Sequence, residues 1–210
     1  MTKILSLVTI IVLSVINSFA QKLNVVVNYV EPQSNLDKQV IIYKPDQLLA
    51  WSDFQAKPNE ASEAAAITNA GFGVKLAFKR IEQSAELLIN VNCSFSRKDS
   101  WVKKNFKTAY ILNHEQKHFD IAYIHTVVFI NKLRKAQYTV SNYVSVIEKI
   151  YNETALEMSK MQNDYDIQTS HSRIPEKQSA WDLKISNQLT AALKEQSALP
   201  LDVNDQNRDL

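Results

Sequence analysis

Two histidines, His114 and His118, stand four residues apart, and Glu115 directly follows the first. On a helix, four residues turn by about 400° and advance by about 6 Å, so both imidazoles leave one face a turn apart. At that spacing their nitrogens reach a single zinc ion at about 2.0–2.1 Å. Glu115 points to the side of the pair, where a carboxylate reaches a zinc-bound water without itself binding the metal. Its expected role is general base toward that water, then proton donor to a leaving amine. Zinc would bring the water pKa toward about 7 and polarise the scissile carbonyl. The chemistry this pattern points to is hydrolysis of a peptide bond.

A catalytic zinc needs a third protein ligand and an open fourth position. His125 faces roughly the same way as His118 but lies about 10 Å further along the axis. Ile121-Ala122-Tyr123-Ile124 contains no glycine to break the helix, so His125 is expected to pack or face solvent. His171 is the better choice, in a polar stretch after the next helix, where the chain can fold back over the site. Glu148, Glu153 and Glu157 on that following helix are rivals, since a glutamate also completes such sites. Asp120 points away from the pair and suits a supporting role. Tyr165, close to His171 in sequence, is a candidate hydrogen-bond donor to a developing oxyanion. Cys93, the sole cysteine, falls in an apolar run and reads as a buried small hydrophobe rather than a reactive thiol or ligand.

These residues need a scaffold. Leu23 to Val30, Gln39 to Tyr43, Thr68 to Lys79 and Ala85 to Phe95 read as strands, rich in β-branched residues or alternating in polarity. Leu48 to Phe54 reads as a short helix or turn, and Ile81 to Ser84 as a hairpin turn. Trp51 and Phe54 in the former suit core packing better than a substrate groove. Gly71 and Gly73, the only glycines, suggest a bulge or a close backbone approach. From Ser100 to Gln137 the chain has neither Pro nor Gly and shows helical apolar spacing, with Asp99 or Ser100 as cap. A second helix is predicted from Ser141 to Met161 and then a polar loop to Ile174. A third helix runs from Pro175 to about Gln196.

The chain begins with Lys3, an apolar run from Ile4 to Ile16, and Asn17-Ser18-Phe19-Ala20. This is the order of a secretory signal peptide cut after Ala20. The run is short for a membrane span and no later stretch is long and apolar enough, so no stable span is expected after cleavage. Export to the periplasm or outside the cell follows. Loss of Lys3 leaves 23 basic against 22 acidic residues, a balance with no footprint for nucleic acid. A single cysteine excludes an internal disulfide, so packing must hold the fold, and a metal can help it. Residues 21–196 form one expected domain, and 197–210 a polar tail.

Leu112-Asn113-His114-Glu115-Gln116-Lys117-His118-Phe119-Asp120-Ile121-Ala122 resembles a family of bacterial proteins of unknown function described as predicted secreted zinc-dependent proteases. Leu49-Ala50-Trp51-Ser52-Asp53-Phe54 is similar to the family's Leu-Thr-Trp-x-Asp-Phe segment, and Ser100-Trp101-Val102 to its lead-in to the active helix. Tyr165-Asp166-Ile167-Gln168-Thr169-Ser170-His171, followed by Gln178 and Trp181, resembles its Tyr-Asp-x-x-Thr-x-His and Gln-x-x-Trp block. The likeness spans about Ile41 to Ile185. It implies His171 as the third ligand, beside His114 and His118, with Glu115 catalytic. Ser172 departs from the family's usual glycine and Ala50 from its common threonine.

The fold expected is α+β and zincin-like: an N-terminal antiparallel sheet on the His-Glu-x-x-His helix, a second helix behind it, and a C-terminal helix. The function expected is a zinc-dependent peptidase acting on a peptide or protein. The alternative is a non-catalytic exported protein that binds zinc or serves as a scaffold.

Overall fold

A computed structural model of the protein describes residues 22–30, 39–82 and 84–197. The expected leader, and all of the expected tail except Ser197, lie outside these residues. The chain runs β1 (Lys22–Tyr29), β2 (Val40–Ile42), β3 (Ala66–Ile67), β4 (Ala70–Ile81), β5 (Ser84–Ser96) and β6 (Trp101–Val102), then α1 (Ala109–Lys135), α2 (Tyr143–Thr169) and α3 (Pro175–Ser197). The class is α+β, with the sheet in the N-terminal half and the helices in the C-terminal half.

Strand β5 organises the sheet. Its residues alternate strictly between buried and half-buried, and Ala85, Leu87, Ile89, Val91, Cys93 and Phe95 all point inward. β4 pairs along nearly its whole length, from Ala70 opposite Phe95 to Ile81 opposite Ser84. That register is unbroken, so neither glycine makes a bulge. Gly73 instead accommodates a close approach, since a Cβ there would sit 3.4 Å from the Asn92 side chain. Along the other edge of β5, β1 pairs with residues 84–91 and β2 with residues 94–96. β2 and β4 are antiparallel to β5, but β1 is parallel to it. The expected all-antiparallel sheet is therefore a mixed one, because β1 and β2 share one edge of β5 end to end and run in opposite senses. A separate two-stranded ladder joins β3 to β6.

The helix expected from Ser100 starts later. Trp101 and Val102 are strand, and Ser100 is buried with its Oγ accepting the Asn69 amide at 2.9 Å. The cap is Thr108, whose hydroxyl accepts from the Ile111 amide at 3.2 Å. The second helix outruns its predicted end at Met161 by two turns. Gln162-Asn163-Asp164 has the composition of a turn, but Gln162 and Tyr165 pack on α1, and tertiary contact overrides that preference. The third helix matches its expectation.

α1 lies between the sheet and the pair α2 and α3, and most of it is buried. Towards its C-terminus Phe129, Ile130 and Leu133 meet Leu87, Ile89 and Val91, with Ile147 of α2 closing the cluster. Near its middle Phe119, Ala122 and Tyr123 meet Tyr43, Cys93 and Phe95 on one side, and Tyr165, Trp181 and Ile185 on the other. Phe54 packs against Phe95 and Trp51, which puts both aromatic residues of that turn in or against the core. Asp120 accepts hydrogen bonds from the Tyr43 hydroxyl at 3.0 Å and the Gln116 amide at 2.9 Å, and pairs with Lys117. Its role is supporting, as expected.

Phe129 is fully buried and stacks on Phe72 with a centroid separation of 4.9 Å. Phe129→Ala is expected to destabilise the fold by about 3–5 kcal/mol, read from the urea midpoint with unchanged slope.

Candidate metal centre

His114 and His118 emerge from the same side of α1, as the spacing requires, into the seam between α1 and α2. Their Nε2 atoms lie 3.2 Å apart. Asp166, on α2, brings one carboxylate oxygen to 3.0 Å from each of them. The three ligand atoms thus form a triangle with edges of 3.0–3.2 Å. Tetrahedral zinc with bonds of about 2.0–2.1 Å separates its ligand atoms by about 3.3 Å, so the donor set fits a metal ion in both chemistry and size. Among the described residues this is the one group of three or more metal-binding side chains that converges so closely.

His171 approaches the same carboxylate oxygen, with Nδ1 at 3.4 Å. It lines the same cleft but stands outside the converging group and is 41% exposed. The structure brings His114, His118 and His171 to one carboxylate, and makes Asp166, not weighed as a ligand from sequence, the residue that touches all three. The rival glutamates are elsewhere. Glu157 pairs with Lys132 at 2.8 Å, Glu153 lies 4.0 Å from Lys149, and neither they nor Glu148 joins the cluster. His125 is buried with Nδ1 donating to the Ile121 carbonyl at 2.9 Å, and burial lowers its pKa. Cys93 is fully buried in the core and burial pushes its thiol up to about 12, which excludes a reactive thiolate.

A signal for Asp166 was present in the sequence. No proline or glycine separates Ser141 from Ile174, so only the turn-like composition of Gln162-Asn163-Asp164 argued for a stop at Met161. Once it continues, Gln162, Asp166 and Thr169 recur on one face.

Glu115 is buried at the wall of a cleft of about 320 Å³ that also contains the three histidines and Asp166. Thr68 donates its hydroxyl to Glu115 Oε2 at 2.7 Å, which engages one carboxylate oxygen. The opposite wall is the extended segment 65–70, and Ile111, Met158 and Gln162 complete the lining. Tyr165 does not face this cleft. Its ring stacks on His114 at 4.5 Å and its hydroxyl points inward to accept from Gln178 at 2.5 Å. It cannot serve an oxyanion there, and its part is to pack the back of the histidine pair.

The turn carrying His171 is strained. Ser170, His171 and Ser172 have φ of 49°, 52° and 68°, three left-handed residues in a row and none of them glycine. The His171 amide bonds the Asp166 carbonyl at 2.9 Å, and the Ser172 amide bonds the Thr169 hydroxyl at 3.3 Å. A residue at φ of 68° explains why glycine would suit position 172.

Burial disfavours charge on both His118 and Asp166, but their mutual contact wins. The Asp166 carboxylate lifts His118 to about 9, and contact with the His114 and His118 rings holds Asp166 well below the usual carboxylate range.

No family model, curated protein or solved structure matches this chain.

Two outcomes follow for the metal-free protein. The raised His118 stabilises fully below its unfolded pKa of 6.5, and this is lost as pH rises through about 9. The depressed Asp166 stabilises above its unfolded value of 3.8, and this is lost as pH falls below it. Urea unfolding of chelator-treated protein should therefore show its greatest stability between pH 3.8 and 6.5 and a decline toward 9; a flat profile would contradict the pairing. Ser172→Gly should stabilise the fold by about 1 kcal/mol in the same assay.

Proposed function

We propose that the protein is an exported zinc-dependent peptidase of zincin type, with His114, His118 and Asp166 as its metal ligands and Glu115 as its general base. One observation carries the reading: three ligand atoms converge within 3.2 Å of one another at the wall of a cleft that also holds a buried glutamate. Resemblance of the His114–His118 segment to predicted secreted zinc-dependent proteases supports it, and so does the leader-like order of residues 1–20. Among the described residues no helix is long and apolar enough to cross a membrane.

The division of labour follows from position. Zinc held there would supply Lewis-acid activation of water and of the scissile carbonyl. Glu115, with Oε2 held by Thr68, has its other oxygen to accept a proton from water and pass it to the leaving amine. His171 at the rim, against Asp166, shields one side of the ligand group.

A peptide fits the opposite wall. Ala65 accepts from the Lys103 amide, and Ile67 pairs with Trp101. By ladder alternation the main-chain groups of Ala66 between them turn to the other edge, where an extended peptide can pair. A cleft of about 320 Å³ holds one or two side chains of such a substrate.

Purified mature protein is expected to bind one zinc, and His114→Ala, His118→Ala and Asp166→Ala each to abolish or greatly weaken that binding. His171→Ala should weaken it less; a loss as large as that of His118→Ala would make His171 the third ligand in place of Asp166. Glu115→Gln should keep the zinc and lower turnover of blocked peptides by about 10²–10⁴. A zinc-loaded parent that cleaves no peptide would leave a non-catalytic exported zinc protein.

A further inference from the structure

The two histidines must present unprotonated Nε2 atoms to a metal, and nothing in α1 itself determines which ring nitrogen carries the hydrogen. Each ring meets a glutamine on its far side. His118 Nδ1 contacts Oε1 of Gln162 on α2, and His114 Nδ1 lies 2.9 Å from Oε1 of Gln178 on α3. A glutamine amide has an accepting and a donating end, so by itself it could favour either tautomer. Here the other end of each amide is pinned. Gln162 Nε2 donates to the His118 main-chain carbonyl at 2.9 Å, and a carbonyl only accepts. Gln178 Nε2 donates to Asp182 Oδ1 at 2.7 Å and to the Tyr165 hydroxyl at 2.5 Å. Asp182 is itself held by the Asn113 amide at 3.0 Å. Both amide oxygens are therefore forced toward the rings, and each requires a hydrogen on Nδ1.

We propose that Gln162 and Gln178 are positioning residues that fix both histidines as Nδ1–H tautomers, presenting two Nε2 lone pairs to the metal. This rests on the metal reading of the site only for its purpose, since the tautomers are a property of the metal-free protein. A neutral imidazole carries one N–H, so placing it on Nδ1 leaves Nε2 bare. Once His118 has given up its extra proton, the two Nε2 atoms and the Asp166 oxygen are three acceptors facing one another at 3.0–3.2 Å, an arrangement that a metal cation relieves. Metal-binding histidines usually donate to a carboxylate, a main-chain carbonyl or water. Neutral amides serve here, so the protein sets ring orientation without adding negative charge behind the ligands. The arrangement also gives α3 a function. It contributes no ligand, yet through Gln178, only 1% exposed, it controls the far side of His114.

The test is a long-range nitrogen–proton NMR spectrum of metal-free protein with labelled histidine, recorded above the pH at which His118 loses its proton. Both rings are expected as Nδ1–H. Either ring found mainly as Nε2–H in the parent would overturn the proposal without any variant. The near-isosteric Gln162→Met should release His118 to a mixture of tautomers and leave His114 alone. Gln178→Met should do the reverse. In each variant zinc affinity should fall by about 10–100-fold with the helical circular dichroism retained. If Gln178→Met fails to fold, Gln162→Met and the parent spectrum decide. Variants that keep both the parent tautomers and the parent zinc affinity would overturn the proposal. A parent with both rings Nδ1–H that nonetheless binds no zinc would uphold the tautomer assignment and sink the metal reading instead.

Discussion

Everything in this fold answers to one constraint. α1 is a buried helix that carries His114, Glu115, Gln116, His118 and Asp120 within two turns. A polar group withdrawn from water must find a partner or forfeit several kcal/mol, so each of these side chains dictates what may pack against it. Gln116 and Asp120 are answered from the side of the sheet, by the Leu49 amide and the Tyr43 hydroxyl. Glu115 is answered by Thr68 from the extended wall. His114 and His118 are answered by Gln178, Gln162 and Asp166 from α3 and α2. The helices and strands are arranged so that the polar atoms of one helix are matched on three sides.

The two sides differ in kind. Toward the sheet the partners close upon one another, and Asp120 with Tyr43, Gln116 and Lys117 forms a finished knot. The same contact raises the Tyr43 pKa, through burial and then Asp120, so the hydroxyl stays a donor. Toward α2, with both rings in the proposed Nδ1–H form, the partners leave an excess of acceptors around a common point. A structural cluster balances its donors and acceptors, whereas a site for a cation does not, and that imbalance distinguishes His114, His118 and Asp166 from the group around Asp120.

What could be read from the chain alone follows the range of the forces involved. The helix through His114 and His118 was legible because its spacing and its freedom from proline and glycine are local, and so were the alternation of Ala85 to Phe95 and the start of α3 at Pro175. Long-range pairing was not. β1 looks like any other β-branched run, and nothing in Leu23 to Val30 tells that it lies parallel to β5. Trp101 and Val102 continue an apolar pattern that suits a helix, and become strand only because Ala66 and Ile67 lie beside them. Asp166 was missed for a related reason. Asn163 and Asp164 look like a turn until the α1 surface that holds Gln162 and Tyr165 is present.

The left-handed turn at 170–172 joins two parts of the cleft that are otherwise built separately. Asp166 and His171 stand before and within it, Ser172 lines the cleft, and Arg173 just after it donates to the Glu63 carbonyl at 2.8 Å, two residues before the extended wall begins. The helical wall and the strand wall are thus fastened at one end by a strap four residues long. At that end the two walls are joined by the backbone of the strap and one exposed hydrogen bond. A core resists deformation over its whole volume, but a strap of strained dihedrals yields at single bonds. The spacing of the walls at that end therefore depends on the dihedral angles of residues 170–172, of which His171 and Ser172 themselves line the cleft.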